Sequence, residues 1–194
     1  LQKLTVDSDN DLIIEARNGN ENAFSALVHR YDRRVLSIIA NYVQSSDDAK
    51  DIYQEVFIRV YKALPKFEFR SEFSTWLYRI TTNVCLTYRA RHKKSPIRRL
   101  QTDGFDGAGS DENLHGTEEH APHLALLSSE LHGKMRAAID SLPPQQKMVF
   151  VLKHLNEYKI KDIALMMECS EGSVKKYLFL AVHKLRSQLK EIES

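Results

Sequence analysis

Trp76, Arg79 and Asn83 recur at spacings of three and four within Phe73-Ser-Thr-Trp-Leu-Tyr-Arg-Ile-Thr-Thr-Asn83, which places them on one side of a single helix. Together they supply an aromatic plane, a guanidinium and an amide. Stacking surface, phosphate ligand and base-edge reader are the parts that hold unstacked nucleotides. Ala90 falls on the same side, while Phe73, Leu77, Ile80, Val84 and Tyr88 repeat at helical spacing toward a core. The chain then turns basic through Arg89, Arg91, His92, Lys93, Lys94, Arg98 and Arg99. Alone, Trp76 reads as a half-buried core residue and Arg79 as a solvated one. Their company with the basic run points to opened nucleic acid.

A second nucleic-acid signature lies far away. Ile163, Ala164 and Met167 form the packing side of one short helix, and Val174, Leu178, Ala181 and Leu185 that of the next. Ser170 is placed to cap the second helix, with Glu171 in its first turn. This pair reads as a helix-turn-helix, whose second helix enters the major groove by its N-terminal residues. Those residues are Glu171, Ser173, Lys175 and Lys176, with Lys184 further along. Periodicity by itself also allows an ordinary αα-hairpin.

Other clusters suggest different chemistry. Asp47, Asp48, Asp51, Gln54, Glu55 and Ile58 share one helical stretch, in which Asp51, Glu55, Ile58 and Lys62 form an outer stripe. Tyr53, Phe57, Val60 and Leu64 are expected on its inward side. Clustered carboxylates can hold a divalent metal, but no histidine or second carboxylate pair completes such a site. His115, His120 and His123 are irregularly spaced and read as solvated. Cys85 and Cys169 form no CxxC spacing and read as small buried hydrophobes of a reducing compartment. No metal or cofactor is expected.

These residues need helices to position them. Gly19 is the only glycine before Gly104, and Pro65 the only proline before Pro96, so the first half is expected to be long helices. A short helix over Asp11–Asn18 ends at Gly19, and Asn20 caps the next. Ser46 or Asp47 caps the acidic helix, which runs to about Leu64. Pro65 to Ser71 makes a loop, and the Trp76 helix follows to about Lys94. Gln101 to Pro122 carries six acidic residues, no lysine or arginine and few large apolar side chains. Such a composition cannot repay its own ordering entropy, so it reads as a flexible linker. Beyond it, Leu124, Leu127, Leu131, Met135, Ala138 and Leu142 form a helical stripe that ends at Pro143-Pro144, and Pro144 starts a helix to about Leu155. The expected fold is all-α: a module over 1–95, a linker over 96–123 and a second module over 124–194.

At 194 residues with a net charge of +2, the chain is only weakly basic, unlike a free-standing high-affinity DNA binder. No apolar run approaches membrane-spanning length and no signal-peptide core is visible, so a soluble cytoplasmic protein is expected.

The motifs resemble those of bacterial RNA polymerase sigma factors of the short extracytoplasmic-function (ECF) class. The resemblance rests on the Trp76 run, on Asp51-Ile-Tyr-Gln-Glu-Val-Phe57, on Ser141-Leu-Pro-Pro-Gln-Gln-Lys-Met-Val-Phe150, and on Ile163-Ala-Leu-Met-Met-Glu-Cys-Ser-Glu-Gly-Ser-Val-Lys175. It covers nearly the whole chain, with the modules in the family's order. It implies a non-enzymatic specificity subunit whose partners are core RNA polymerase, promoter DNA and an anti-sigma factor. Asp48, Asp51, Gln54, Glu55 and Ile58 would dock on the clamp helices of the large polymerase subunit. Trp76, Arg79, Asn83, Arg89, Arg91, Lys93 and Lys94 would melt and hold the −10 element. Glu171, Ser173, Lys175, Lys176 and Lys184 would read the −35 duplex.

The chain departs from the family's pattern in three places. Tyr177, Leu180 and Val182 stand where arginines are usual, Lys159 where a capping serine is common, and Glu168 where glycine is frequent in the turn. Two other readings compete: a helix-turn-helix regulator with an N-terminal helical interaction domain, and a metal-dependent nuclease using the acidic helix.

Overall fold

The computed structural model describes residues 8–92 and 133–192, and every regular element among them is helical. The expected linker and its histidines lie outside the described residues, as do Leu124, Leu127 and Leu131.

Local chemistry accounts for the helix ends. Ser8 and Asp11 form a reciprocal capping box at the start of α1 (Asp9–Arg17). Gly19 ends it at φ 91°, and the amides of Gly19 and Asn20 donate to Ala16 and Glu15 carbonyls at 3.1 Å each. The Asn20 amide oxygen then accepts from Asn22 and Ala23 N–H groups at 3.0 and 3.3 Å, opening α2 (Glu21–Tyr42). Helix α3 (Ser46–Ala63) is capped one residue earlier than expected, by Ser45, whose hydroxyl accepts from the Asp48 amide at 3.2 Å. That leaves Asp47 and Asp48 in the first turn, where carboxylates oppose the helix dipole.

The buried side of α3 also differs from expectation. Ile52, Val56 and Val60 form it, and Leu64 extends it, while Tyr53 and Phe57 are only half-buried at its edge. Their rings pack edge to face against each other, at 4.8 Å between centroids. A short 3₁₀ turn at Leu64–Lys66 and a loop lead to α4 (Phe73–His92).

The C-terminal module comprises α5 (residues 133–140), α6 (Pro144–Phe150), α7 (Ile160–Met166) and α8 (Glu171–Ile192). Pro144 opens α6 as expected, but α6 widens into a π-turn at Val151–Leu155 before the chain reverses. On α5, Ala138 and Ile139 are buried, followed by Leu142, whereas Met135 is largely exposed. Lys159 precedes α7 without a side-chain cap, and Ser170 caps α8 by accepting from the Ser173 amide at 3.1 Å.

The two-module helical architecture is as expected, but the modules are docked on each other. One apolar cluster runs from Leu27, Ile38, Val56, Leu77 and Val84 into Met148, Leu152, Ile163 and Met166. A smaller one joins Ile139, Leu142, Ala181 and Leu185. Among the described residues no helix is long and apolar enough to cross a membrane.

Candidate nucleic-acid and polymerase interface

Helix α4 is buried on more than one side. Phe73, Leu77 and Val84 face the core as expected, with Ile80 and Tyr88 half-buried; Tyr78, Thr81, Thr82 and Cys85 are buried as well. The wider burial arises because α7 packs against α4 in addition to α2 and α3. On the remaining face Asn83 is exposed, and Trp76 and Arg79 are partly exposed.

The Trp76 ring is held by neighbours. Its centroid lies 5.0 Å from that of Phe67 and 5.7 Å from that of Phe73, and Phe69 joins Phe67 edge-on at 5.0 Å. Phe69 has φ 56°, which turns the loop before α4 and leaves its ring partly exposed. Trp76 is thus both a packing residue and an aromatic surface.

The other residues assigned to this face diverge. Arg79 pairs with Glu168, Nη1 to Oε1 at 3.2 Å. Arg89 turns inward: its guanidinium lies 5.8 Å from the Tyr42 ring centroid and donates to the Asp140 carbonyl. Lys93 and Lys94 lie outside the described residues, as do the side chains of Ala90 and Arg91.

On α3, Asp51 and Gln54 are exposed, Ile58 is 48 % exposed, and Glu55 pairs with Arg59 at 2.6 Å. Charges ringing an exposed apolar side chain suit a protein contact. Asp48 is tied to the fold instead, because its carboxylate accepts from the Tyr88 hydroxyl at 2.8 Å. Among the described residues no three His, Cys, Asp or Glu side chains converge as metal ligands.

At the start of α8, Glu171, Lys175 and Lys176 are exposed, and Ser173 is half-buried with its hydroxyl 2.9 Å from that of Ser170. Lys184 is placed differently, further along the helix, where its ammonium donates to the Ser141 carbonyl at 3.0 Å. Phe179 is 69 % exposed on the same helix.

Several residues joining the modules escaped the sequence reading. The Thr82 hydroxyl donates to the Met166 carbonyl at 2.8 Å, satisfying the open C-terminal end of α7. Arg136 donates to the Ala40 and Val43 carbonyls at 2.8 and 3.1 Å, doing the same for α2. Asn156 donates to the Ser37 hydroxyl at 2.7 Å. Lys147 is buried, bonded to Asp140, and lies 5.1 Å from the Tyr42 ring centroid. Burial lowers the Lys147 pKa, and Asp140 opposes that shift. The one sequence signal was the Thr81-Thr82 pair within an otherwise apolar helix side.

Comparison with known proteins decides the family. Residues 27–95 match Sigma-70 region 2, and residues 132–185 match Sigma-70, region 4. The ECF RNA polymerase sigma-E factor of Escherichia coli K12 is 32% identical over 178 residues, 90% of either chain. This chain belongs to the ECF sigma factors of the sigma-70 family. The RNA polymerase sigma-H factor of Pseudomonas aeruginosa is 31% identical over 179 residues, 92% of either chain. The fold is also that of two solved structures. CnrH, in complex with the cytosolic domain of CnrY, is 20% identical with a TM-score of 0.63, over 95% of this chain and 99% of that one. RpoE from Bartonella quintana, in complex with the anti-sigma factor NepR, is 18% identical with a TM-score of 0.57, over 86% and 96%. In this sigma factor the α3 and α4 faces fall in the region 2 match, and the helix-turn-helix falls in the region 4 match.

Proposed function

We propose that this chain is an alternative sigma factor that binds core RNA polymerase and directs promoter-specific initiation. The observation that carries the reading is the region 2 and region 4 pair in one chain, in that order. Residues 1–95 serve polymerase docking and −10 melting, 96–123 connect, and 124–194 hold the −35 reader. The exposed α3 face of Asp51, Gln54, Glu55 and Ile58 meets the polymerase. Trp76, Arg79 and Asn83 take one strand of the melted −10 element by stacking, phosphate pairing and amide contacts. Lys175 and Lys176 meet phosphates of the −35 duplex, with Glu171 and Ser173 nearest the base edges.

The chain acts by binding and carries out no covalent step of its own. Its weak net charge accords with poor affinity for DNA alone, because core enzyme supplies the spacing that makes two weak contacts strong together. CnrH and RpoE were each solved with a partner protein, which supports an anti-sigma partner here too, in the cytoplasm.

Core polymerase mixed with this chain is expected to initiate from a defined promoter in vitro, as neither component does alone. A helix-turn-helix regulator would bind its operator unaided and add nothing to core enzyme. That result would reject the proposal.

A further inference from the structure

The contact between the modules occupies residues that the proposed function needs free. Arg79, assigned to a strand phosphate, is paired with the Glu168 carboxylate at 3.2 Å. One turn along α4, Thr82 closes the end of α7 through the Met166 carbonyl at 2.8 Å. A turn or two further, Arg89 is spent on Tyr42 and the Asp140 carbonyl. A phosphate approaching the Nη1 side of Arg79 must displace the Glu168 carboxylate, because the two anions repel each other and compete for the same donor.

Glu168 is an unusual residue for its position. It follows α7 at φ 51°, the left-handed conformation that favours glycine. The Cys169 amide donates back to the Ala164 carbonyl at 3.0 Å, so Glu168 fills the position of a helix-ending turn where glycine is most common. A glutamate there carries backbone strain and gives the turn nothing that glycine would not. Its distinct contribution is the carboxylate, which reaches the other module and touches Arg79.

We propose that Glu168 latches the two modules in a closed state by standing in for DNA phosphate on Arg79, and that capture of the −10 strand requires this latch to open. The latch rests on the proposed −10 role of Arg79. Glu168 lies only two residues before the Ser170 cap of α8, so release moves the −35 reader and uncovers the −10 face in one event. Both latch side chains are partly exposed, at 38 % and 58 %. The ion pair is therefore weak and salt-sensitive, suited to biasing a docked state that Thr82 and the shared core hold.

Single-molecule FRET on the full chain tests the latch without DNA or polymerase. Dyes sit on Lys50→Cys and Ser187→Cys, both exposed, in a Cys169→Ser background; the remaining Cys85 is buried. E168Q and E168G are each expected to raise the open population about three-fold, as loss of an exposed pair predicts. E168G also removes the backbone strain, so it opens the modules without weakening the turn. An open population unchanged in both variants overturns the latch.

A second arm asks whether DNA competes for Arg79, using a fluorescent 20-nucleotide single strand of mixed sequence. E168Q is expected to tighten binding about three-fold in the free chain, following the open fraction, and to have no effect once Arg79 is alanine. An equal gain in the Arg79→Ala background would mark Glu168 as a general repulsive charge and overturn the competition. Should no variant bind the strand, the −10 role of Arg79 fails and the competition fails with it, while the FRET populations still decide the closed state.

Discussion

The buried Lys147 ammonium lies 5.1 Å from the centre of the Tyr42 ring and bonds the Asp140 carboxylate, so one cation ties the modules together. Tyr42 ends α2, and Asp140 ends the described part of α5 and also accepts from Gln44. Lys147→Ala would leave Asp140 short of its charge partner and a cavity against the ring. It is expected to cost about 3 kcal/mol in urea unfolding. Lys147→Met, which keeps the volume, is expected to cost clearly less. Equal losses would mean that the charge on Asp140 rather than packing against Tyr42 holds the contact.

Trp76 is both a wall of the aromatic cluster and an exposed surface. Trp76→Ala is expected to lower stability by about 2 kcal/mol, less than a fully buried aromatic would, because only part of the ring is covered. Below its melting temperature the variant is expected to bind core polymerase normally and to fail in opening the promoter. Pull-down and 2-aminopurine fluorescence at the −10 element measure the two steps. Equal loss in both would make Trp76 a purely structural residue.

Lys175 and Lys176 extend from the exposed start of α8. Changing either to alanine is expected to weaken holoenzyme binding to −35 duplex across sequences and to reduce the salt slope by about one. Lys184→Ala serves as the contrast. Its ammonium is used on the Ser141 carbonyl, so it is expected to shift stability and leave the slope unchanged.

Burial pushes the Cys85 thiol from its ordinary value near 9.0 up to about 12. The unfolded chain releases that proton near pH 9 while the folded chain keeps it, so stability is intact below pH 9 and falls as pH rises toward 12. Tyr31, Tyr42 and Tyr158 are pushed up chiefly by burial too, which adds to the loss above pH 10. Lys147 shifts the other way and gains stability as pH rises toward its ordinary value near 10.5, which offsets only part of the loss. The melting temperature is expected to drop from pH 9 upward, less steeply in Cys85→Ala. A flat profile to pH 11 would refute this account.

Much of the molecule was legible one element at a time. Gly19, Asn20, Pro144 and Ser170 each act within a few residues of themselves, so the helix boundaries they set follow from sequence. Where neighbouring residues offer the same chemistry, the choice was not legible: Ser45 rather than Ser46 or Asp47 caps α3. The inward side of α3 was misplaced for a related reason. Tyr53 and Phe57 are as apolar as a core requires, but neighbouring helices close over Ile52 and Val56, leaving the larger rings at the rim.

The sequence by itself determined an all-helical chain, its two modules in order, the family, and the outward placement of Asn83, Lys175 and Lys176. Those follow from periodicity, caps and motifs, which are local properties of the chain. Only the tertiary structure decided how the modules meet, and therefore which cations are free. Arg89 read as part of a basic run directed at DNA yet turns onto Tyr42 and Asp140, and Arg79 is met by a carboxylate from the other module. Partners eighty or more residues apart, such as Thr82 and Met166, leave no periodic trace, because only packing brings them within reach.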